Sequence, residues 1–276
     1  MMIHKVALFK KLIVFFIFWI SSVNVLGQEF RLEGKFVQGG MVVGFAAHGV
    51  GVQLDGKEIG VSTDGVFILG FGRDAPEKSY LTVTQPNGKS KTRTLRIKNR
   101  NYKVERIDGL SSRKVSPDQE DLKRIHTERR LVRTAREKTA KTAFFLSGFD
   151  WPVNGRISGV FGSQRILNGK PRRPHLGLDI AALEGTHVKA PADGKVTLTH
   201  PGMFFNGKTI ILDHGLSLSS IYVHLSEVSI ATGEAVKKGQ VIGKIGKTGR
   251  ATGPHVHWGV RWEGVDLDPL LLVSHN

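Results

Sequence analysis

Cysteine is absent from the 276-residue chain. No disulfide can therefore stabilise the fold, and any transition-metal site has to use histidine, aspartate or glutamate. The His-Glu-x-x-His motif, which supplies two zinc ligands and a glutamate base in many metallopeptidases, is also absent. A metal-dependent hydrolase with this sequence needs another ligand pattern, and the histidines are the residues to examine.

Long hydrophobic runs are scarce. One lies at residues 12–20, after three lysines and before small residues that end at Gly27. It is well short of the roughly 20 residues that span a bilayer, and the pattern predicts a secretory signal peptide over residues 1–27, cleaved after Gly27. The alternative is an uncleaved anchor that also uses residues 23–26.

Acidic residues are outnumbered by basic ones. The chain has 40 Lys plus Arg against 24 Asp plus Glu, a formal net charge of +16. Three of the lysines lie in residues 1–27, so an exported chain keeps a charge of +13. Such a charge attracts acidic polymers, which outside the cytoplasm are anionic lipid headgroups and carboxylate-rich cell wall. Nucleic acid is not an expected partner of an exported chain.

Turn signals and strand patterns predict a mainly β chain with two folded units. Residues 28–110 contain short alternating segments separated by Asp-Gly and Asn-Gly turns, which predicts a small all-β domain. From residue 148 to 276, glycine and proline punctuate short apolar runs, which predicts a second, larger β domain with little helix.

A helix is predicted between the two domains, over residues 111–147. Ser116, Pro117 and Gln119 are typical of a capping-box start, and Leu122, Ile125, Val132 and Ala135 fall on one helical stripe. The helix is strongly basic. Its charged face is interpreted as solvated, and a weak contact with an envelope membrane is the alternative.

Histidines and one aspartate carry the strongest chemical pattern. His175 and Asp179 are four residues apart, and Pro174 and Gly177 favour an extended strand over a helix. His255 and His257 are two apart in a strand-forming run, so both imidazoles project from one face. Hydrolytic zinc takes three ligands from His, Asp and Glu and keeps a fourth position for water, so one His-His-Asp set fills that requirement.

Motif after motif, residues 151–272 resemble the lysostaphin-type (LytM-type) zinc metallopeptidases of bacterial cell wall. The resemblance rests on His-x-Gly-x-Asp at 175–179, Tyr-x-His-Leu at 222–225 and Gly-Pro-His-x-His at 253–257, with supporting matches at 159–162, 190–194, 213–215 and 236–243. It implies an antiparallel sheet with hairpins. The chain departs from the family pattern at His187, where proline is usual, and at Lys208, where asparagine is frequent; neither is a metal or catalytic position.

The resemblance implies a role for each motif residue. His175, Asp179 and His257 correspond to the zinc ligands, and His224 and His255 to catalytic histidines beside the metal. Either imidazole is a candidate general base, and the sequence does not decide between them. Arg172 and Arg173, just before the first ligand, are candidates for binding the carboxylates of wall stem peptides; a solvated basic loop is the alternative. His214 is interpreted as structural.

The function implied is that of a zinc metalloendopeptidase that hydrolyses peptide cross-links of peptidoglycan during cell-wall remodelling. Export and the lack of an evident wall-binding repeat favour the periplasm of a Gram-negative bacterium and a direct cross-link between stem peptides. The alternative is a catalytically restrained activator of cell-wall amidases, since some relatives have lost zinc ligands and work in that way. Here all five motif residues are present, which favours the enzyme.

Overall fold

The computed structural model describes residues 30–273, and the signal peptide predicted over residues 1–27 lies outside this range. The N-terminal strands are β1 (Phe30–Gly34), β2 (Met41–Ala46), β3 (Gly51–Leu54), β4 (Lys57–Glu58), β5 (Val66–Gly70), β6 (Lys78–Thr84), β7 (Ser90–Arg96) and β8 (Val104–Ile107). They are followed by α1 (Ser112–Val115), α2 (Gln119–Glu137) and a 3-10 turn at Phe144–Ser147.

The remaining strands form the C-terminal part of the molecule. They are β9 (Arg156–Gly159), β10 (Gln164–Leu167), β11 (Lys170–Pro171), β12 (Leu178–Ala181), β13 (His187–Lys189), β14 (Gly194–Met203), β15 (Gly207–Gly215), β16 (Leu218–Leu225), β17 (Glu227–Val228), β18 (Ala235–Val236), β19 (Val241–Lys244), β20 (His255–Trp262) and β21 (Val265–Leu267). A 3-10 turn at Pro269–Leu271 follows. No helix within residues 30–273 is long and apolar enough to cross a membrane.

Two small antiparallel sheets make up the N-terminal part, in the orders β1-β2-β5 and β4-β3-β6-β7. The β3–β4 hairpin turns at Asp55 and Gly56, both with positive φ, as an Asp-Gly hairpin requires. Strand β5 is buried along its whole length, with Phe67 and Leu69 fully inaccessible. The all-β character predicted for this part of the chain follows from these hairpins.

An eight-stranded antiparallel sheet dominates the C-terminal part, in the order β18-β14-β15-β16-β20-β12-β9 with β21 beside β20. One face is apolar and packs into the core; Ile180, Tyr222 and Trp258 there are fully buried. Because successive side chains of a strand point to opposite faces, Asp179 and His257 project from the other face. The mainly β, antiparallel fold predicted from the sequence is confirmed.

Helix α2 packs on the same face of the sheet as Asp179 and His257. Its Ala135 contacts a small apolar cluster formed by Ile211, Ile221 and Val223 of β15 and β16. The helix begins at Asp118, whose carboxylate accepts from the backbone N–H of Asp121 at 2.8 Å. The sequence pattern predicted Ser116 as the N-terminal cap of α2, two residues before the observed cap. Ser116 instead ends α1, where its backbone N–H donates to the Ser112 carbonyl.

The chain is attached to the C-terminal part of the molecule on both sides of the two helices. Before α1, β8 pairs in parallel with β10. After α2, the buried carboxylate of Asp213 accepts from the hydroxyl of Thr139 at 3.1 Å and the N–H of Ala140 at 2.8 Å. Helix α2 is thus fixed at two points as well as by its own packing.

Acid should destabilise the fold partly through His214. This side chain is fully buried, with ring nitrogens 2.7 Å from the Asp193 carbonyl and 2.7 Å from the Ser220 hydroxyl. Burial lowers the pKa of His214 from 6.5 to about 4. As pH falls from 6.5 towards 4, the unfolded chain binds a proton that the folded chain does not, so up to roughly 3 kcal/mol of stability is lost.

Urea unfolding of metal-free protein at pH 7, 6 and 5 measures this loss. His214→Gln should be less stable at pH 7, since its hydrogen bonds change, but its stability should fall less steeply with acidification. Equal pH slopes for the two proteins would contradict the assignment.

Candidate metal centre

Strand register brings two of the motif residues together. In the antiparallel pair β12–β20, Asp179 lies directly opposite His257. Opposite residues on one face of such a pair have Cβ atoms about 5 Å apart, which lets their side chains meet. His175 lies in the loop before β12, where its backbone accepts from Gly162 and donates to Ser163. That loop directs its imidazole onto the same face.

Three potential ligand atoms converge. His175 Nε2 lies 3.0 Å from Asp179 Oδ1, His257 Nδ1 lies 2.8 Å from the same oxygen, and the two nitrogens are 2.9 Å apart. Within the described range these residues form a group of His and Asp side chains able to hold a metal, and His255 does not belong to it. Of the four candidates left open by spacing alone, the structure brings His175, Asp179 and His257 together.

The hydrogen bonding of this cluster fits a cation. His175 Nδ1 donates to the Val160 carbonyl at 3.0 Å, so a neutral His175 presents a lone pair at Nε2. That lone pair faces His257 Nδ1 and a carboxylate oxygen of Asp179. A single proton on His257 Nδ1 can be donated to only one of these two acceptors, so repulsion between lone pairs remains. A divalent metal bound by all three atoms would remove this repulsion, and His and Asp are ligands that zinc accepts.

Asp179 is buried, 7% exposed, yet ionised. Burial alone raises its pKa, but the imidazoles of His175 and His257 at Oδ1 hold the pKa well below its ordinary value. The other carboxylate oxygen, Oδ2, accepts from Arg165 of β10 at 2.5 Å. Arg165 in turn lies 3.5 Å from Glu105 of β8. The carboxylate is thus oriented by an arginine that also contacts the linker region.

Glycine is required beside the cluster. A Cβ at Gly177 would lie 2.5 Å from Cε1 of His257 and 2.7 Å from the Trp258 carbonyl oxygen. A Cβ at Gly159 would lie 2.6 Å from Asp179 Oδ2. These contacts are shorter than real Cβ contacts, so both positions allow the His257 ring and the Asp179 carboxylate to approach the backbone closely.

His224 and His255 form a second pair of imidazoles, with ring centroids 4.7 Å apart. His224 Nδ1 donates to the Thr248 carbonyl at 2.8 Å and His255 Nδ1 to the Gly253 carbonyl at 2.9 Å. Each ring held in this way has Nε2 available as an acceptor. Two imidazoles whose Nε2 atoms are free as acceptors can orient a water molecule and accept its proton.

The backbone at His224 is unusual. Its φ of 66° is in the left-handed region, and the β15–β16 pairing shifts register beside it, as in a β-bulge. Bulges of this kind re-aim a side chain near functional sites. Burial, followed by the charges of His255 and His257, lowers the pKa of His224 to about 3. His224 is therefore neutral over the physiological range.

A groove of about 600 Å³ leads to the histidines. Its walls come from the α1–α2 region and from loops of the C-terminal sheet, and it is lined by five arginines: Arg129, Arg165, Arg172, Arg173 and Arg250. Arg172 donates to the Val115 carbonyl at 2.7 Å, so part of its hydrogen-bonding capacity holds α1 in place. Arg173 is exposed in the groove. The groove is strongly cationic.

Comparison with known proteins identifies the family to which the chain is related. The family model described as Peptidase family M23 matches residues 173–269, which include all five histidine and aspartate positions above. A crystal structure assigned to peptidase M23 from Pseudomonas aeruginosa is 32% identical, covers 87% of this chain and 95% of its own, and superposes with a TM-score of 0.67. The chain belongs to peptidase family M23. The resemblance drawn from the motifs is thus confirmed.

Two curated relatives match the M23 region. The DD-carboxypeptidase/endopeptidase Mpg of Neisseria meningitidis is 40% identical over 119 residues, which is 43% of this chain and 27% of that protein. The peptidoglycan DD-endopeptidase ShyA of Vibrio cholerae is 39% identical over 113 residues, 39% of this chain and 26% of that protein. The matched segments thus span about a quarter of the length of these M23 relatives.

Several residues of the site were missed in the sequence. Arg250 lies on the loop before β20, stacks on Phe205 at 4.4 Å and lines the groove. Burial, followed by repulsion from Arg165 and Arg172, lowers its pKa to about 10. The carbonyls of Val160 and Thr248, which fix two histidine tautomers, were missed as well. Every residue has a main-chain carbonyl, so the sequence cannot show which carbonyl will contact a histidine. The positive charge of Arg250 was evident from the sequence, but its place in the groove was not.

Arg165→Met should weaken zinc binding about 10- to 100-fold, because the substitution leaves Asp179 Oδ2 without the donor that orients it. The measurement is competition with a chelating dye. Arg156→Met, at an exposed arginine of β9, is the matched control and should bind zinc as the parent does. Equal zinc affinity in the two variants would show that Arg165 does not position the ligand.

Proposed function

We propose that this M23 peptidase is an exported zinc metalloendopeptidase that hydrolyses peptide cross-links of peptidoglycan, with His175, Asp179 and His257 as the zinc ligands. The observation that carries the proposal is the convergence of three ligand atoms within 3.0 Å on the floor of a cationic groove. The relatives named as DD-endopeptidases support the substrate class. Export into the periplasm agrees with that substrate.

Zinc bound here would supply Lewis acidity that polarises a peptide carbonyl and lowers the pKa of an attacking water. The protein's own groups do the rest. The Nε2 lone pairs of His224 and His255 orient the attacking water and accept its proton. Burial opposes a positive charge on His224, so the more exposed His255 is assigned as the general base and His224 as its orienting partner.

The arginines of the groove favour a substrate rich in carboxylates. Arg129, Arg173 and Arg250 present guanidinium groups beside the histidines, and guanidinium pairs with carboxylate in a bidentate geometry. Arg172 is assigned a double role, since it lines the groove while it holds Val115. Stem peptides of the cell wall carry such carboxylates. We assign the direct cross-link between stem peptides as the bond cleaved.

Defined cross-linked muropeptides test the proposal. Purified protein with one equivalent of zinc should convert a cross-linked dimer into two monomers, as followed by chromatography and mass spectrometry. A chelator should abolish the conversion and added zinc should restore it. Glycan cleavage, or no cleavage of any peptide bond by zinc-loaded protein, would rule the proposed function out.

A restrained enzyme is a second candidate, and the position of α1 and α2 on the groove favours it. Lys114 donates to the Phe204 carbonyl, and the Glu128 carboxylate accepts from the Phe204 N–H at 2.8 Å. These contacts hold the helices over the sheet face that carries the site. Residues of the α1–α2 region also line the groove, so the helices narrow the approach of a bulky polymer to the site.

Loosening those contacts should raise activity if the helices restrain the enzyme. In the full chain, the double variant Lys114→Ala/Glu128→Ala should cleave cross-linked sacculi several-fold faster than the parent, because the helices then separate from the groove more often. Glu120→Ala, an exposed position on the first turn of α2, is the control. Unchanged or lower turnover in the folded double variant would argue against restraint.

A further inference from the structure

A second cavity of about 560 Å³ lies beneath α2, between the helix and the sheet. Here it is termed the α2 cavity, and its lining includes Arg129, Arg136, Arg173, Phe205, Ser219 and Arg261. Arg129, Arg173 and Phe205 also line the groove at the metal centre, so the two spaces lie next to each other. The role proposed above for the groove does not account for this extension.

The α2 cavity has an excess of unpaired positive charge. Its acidic residues are already engaged: Glu128 with Phe204, Glu137 near Arg133 at 3.9 Å, and Glu263 with Lys57 at 3.1 Å. The cationic lining therefore has spare capacity for an external anion.

Arg136 is the residue at which this excess is clearest. Its Nε is buried and has no hydrogen-bond partner among residues 30–273. Asp266, the nearby acid, is held by Arg261 in a bidentate pair at 2.7 and 2.5 Å. Burial, followed by repulsion from Arg261, lowers the pKa of Arg136 to about 10. A buried guanidinium nitrogen without a hydrogen-bond partner costs stability, and an anion that accepts from it relieves that cost.

Strand β20 carries residues of both the α2 cavity and the metal centre. Arg261 is four residues after His257 on the same face of the strand, opposite Ser219 of β16. At about 3.3 Å per residue, the two positions are roughly 13 Å apart. A bound peptide in extended form covers that distance with about four residues. An anionic group on the substrate peptide can thus reach the α2 cavity, which Arg136 and Arg261 both line, while a peptide bond lies at the metal centre.

We propose that the α2 cavity binds a carboxylate of the substrate peptide, three to four residues from the scissile bond, with Arg136 as the principal donor and Arg129 and Arg173 beside it. This inference rests on the proposed function for the identity of the substrate. It assigns α2 a role in substrate binding, as the alternative to the restraint considered above, since the helix supplies two of these three arginines.

Binding is tested in the metal-free full-length protein, so that neither zinc nor hydrolysis contributes. The probes are N-acetyl-trialanine, its C-terminal amide and inorganic phosphate, titrated while the arginine Nε–H signals are followed by NMR. The parent should bind the carboxylate peptide at least tenfold more tightly than the amide, because a charge-assisted hydrogen bond is lost in the amide. The signal of Arg136 should shift on binding.

Arg136→Gln should abolish the preference for the carboxylate, whereas Arg130→Gln, an exposed position on the same helix and outside both cavities, should keep it. The Tm of Arg136→Gln should equal or exceed that of the parent, since an unpaired buried cation is removed. Equal affinity for acid and amide, a preference that survives Arg136→Gln, or a response to phosphate alone would each overturn the proposal. So would a lower Tm with unchanged peptide affinity, which indicates a structural role.

The result separates this inference from the proposed function. Cleavage of cross-linked muropeptides without carboxylate binding at Arg136 would remove only the α2 cavity from the mechanism. Carboxylate binding without cleavage would leave the cavity and remove the peptidase.

Discussion

His257→Ala is expected to lose zinc and peptidase activity together. The imidazole supplies one of three converging ligand atoms, 2.8 Å from Asp179 Oδ1 and 2.9 Å from His175 Nε2. Loss of an orienting partner of a ligand already costs 10- to 100-fold in metal affinity, so loss of the ligand itself should cost more than about 100-fold. Without metal, turnover should fall to background.

Two quantities are measured: the zinc content after dialysis against micromolar zinc, and the turnover of muropeptides. His187→Ala is the matched control, because His187 is an exposed histidine on β13 outside the metal group. The control should retain one zinc and full turnover. Stoichiometric zinc in the His257→Ala protein would remove His257 from the ligand set and with it the mechanism proposed here.

His255→Ala and His224→Ala are expected to separate catalysis from metal binding. Neither residue belongs to the converging group, so both variants should retain one zinc. Loss of a general base lowers kcat by about 10²- to 10⁴-fold, and the larger loss is expected at His255. Substrate affinity should change little, since the arginines of the groove are untouched.

The rate of muropeptide cleavage at saturating substrate distinguishes the two histidines. The fall in kcat should be larger in His255→Ala than in His224→Ala, while KM stays close to that of the parent in both variants. Zinc content is measured on the same samples. A His255→Ala protein with stoichiometric zinc and undiminished turnover would transfer the base role to another group.

Short spacings in the sequence predicted the local geometry of two motif elements, whereas the choice of His175, Asp179 and His257 as ligands came from the resemblance to a known family. Because side chains alternate along a strand, the two-residue spacing of His255 and His257 placed them on one face of β20. The turn residues Pro174 and Gly177 correctly favoured an extended geometry at Asp179, which lies in β12. The catalytic and ligand roles of these residues stay predictions until the variants above are measured.

Long-range packing was beyond the sequence. The apolar stripe of α2 was visible, but a stripe does not say which sheet face it covers, and here it covers the face that carries the site. The burial of Arg136 and Arg250 could not be predicted either. The sequence shows that both residues are charged, but their burial depends on packing against elements far away in the chain. The cap of α2 was misplaced for a local reason, because Ser116 closes α1 instead of opening α2.

The two attachments of the linker determine how substrate could gain further access. Strand β8 is held by β10 on one side, and Asp213 holds Thr139 and Ala140 on the other. A segment tied at both ends cannot swing about a single hinge. Movement of α2 away from the sheet therefore requires local unfolding of one attachment, and the free energy of that opening, not loop flexibility, sets the fraction of molecules open to a bulky polymer.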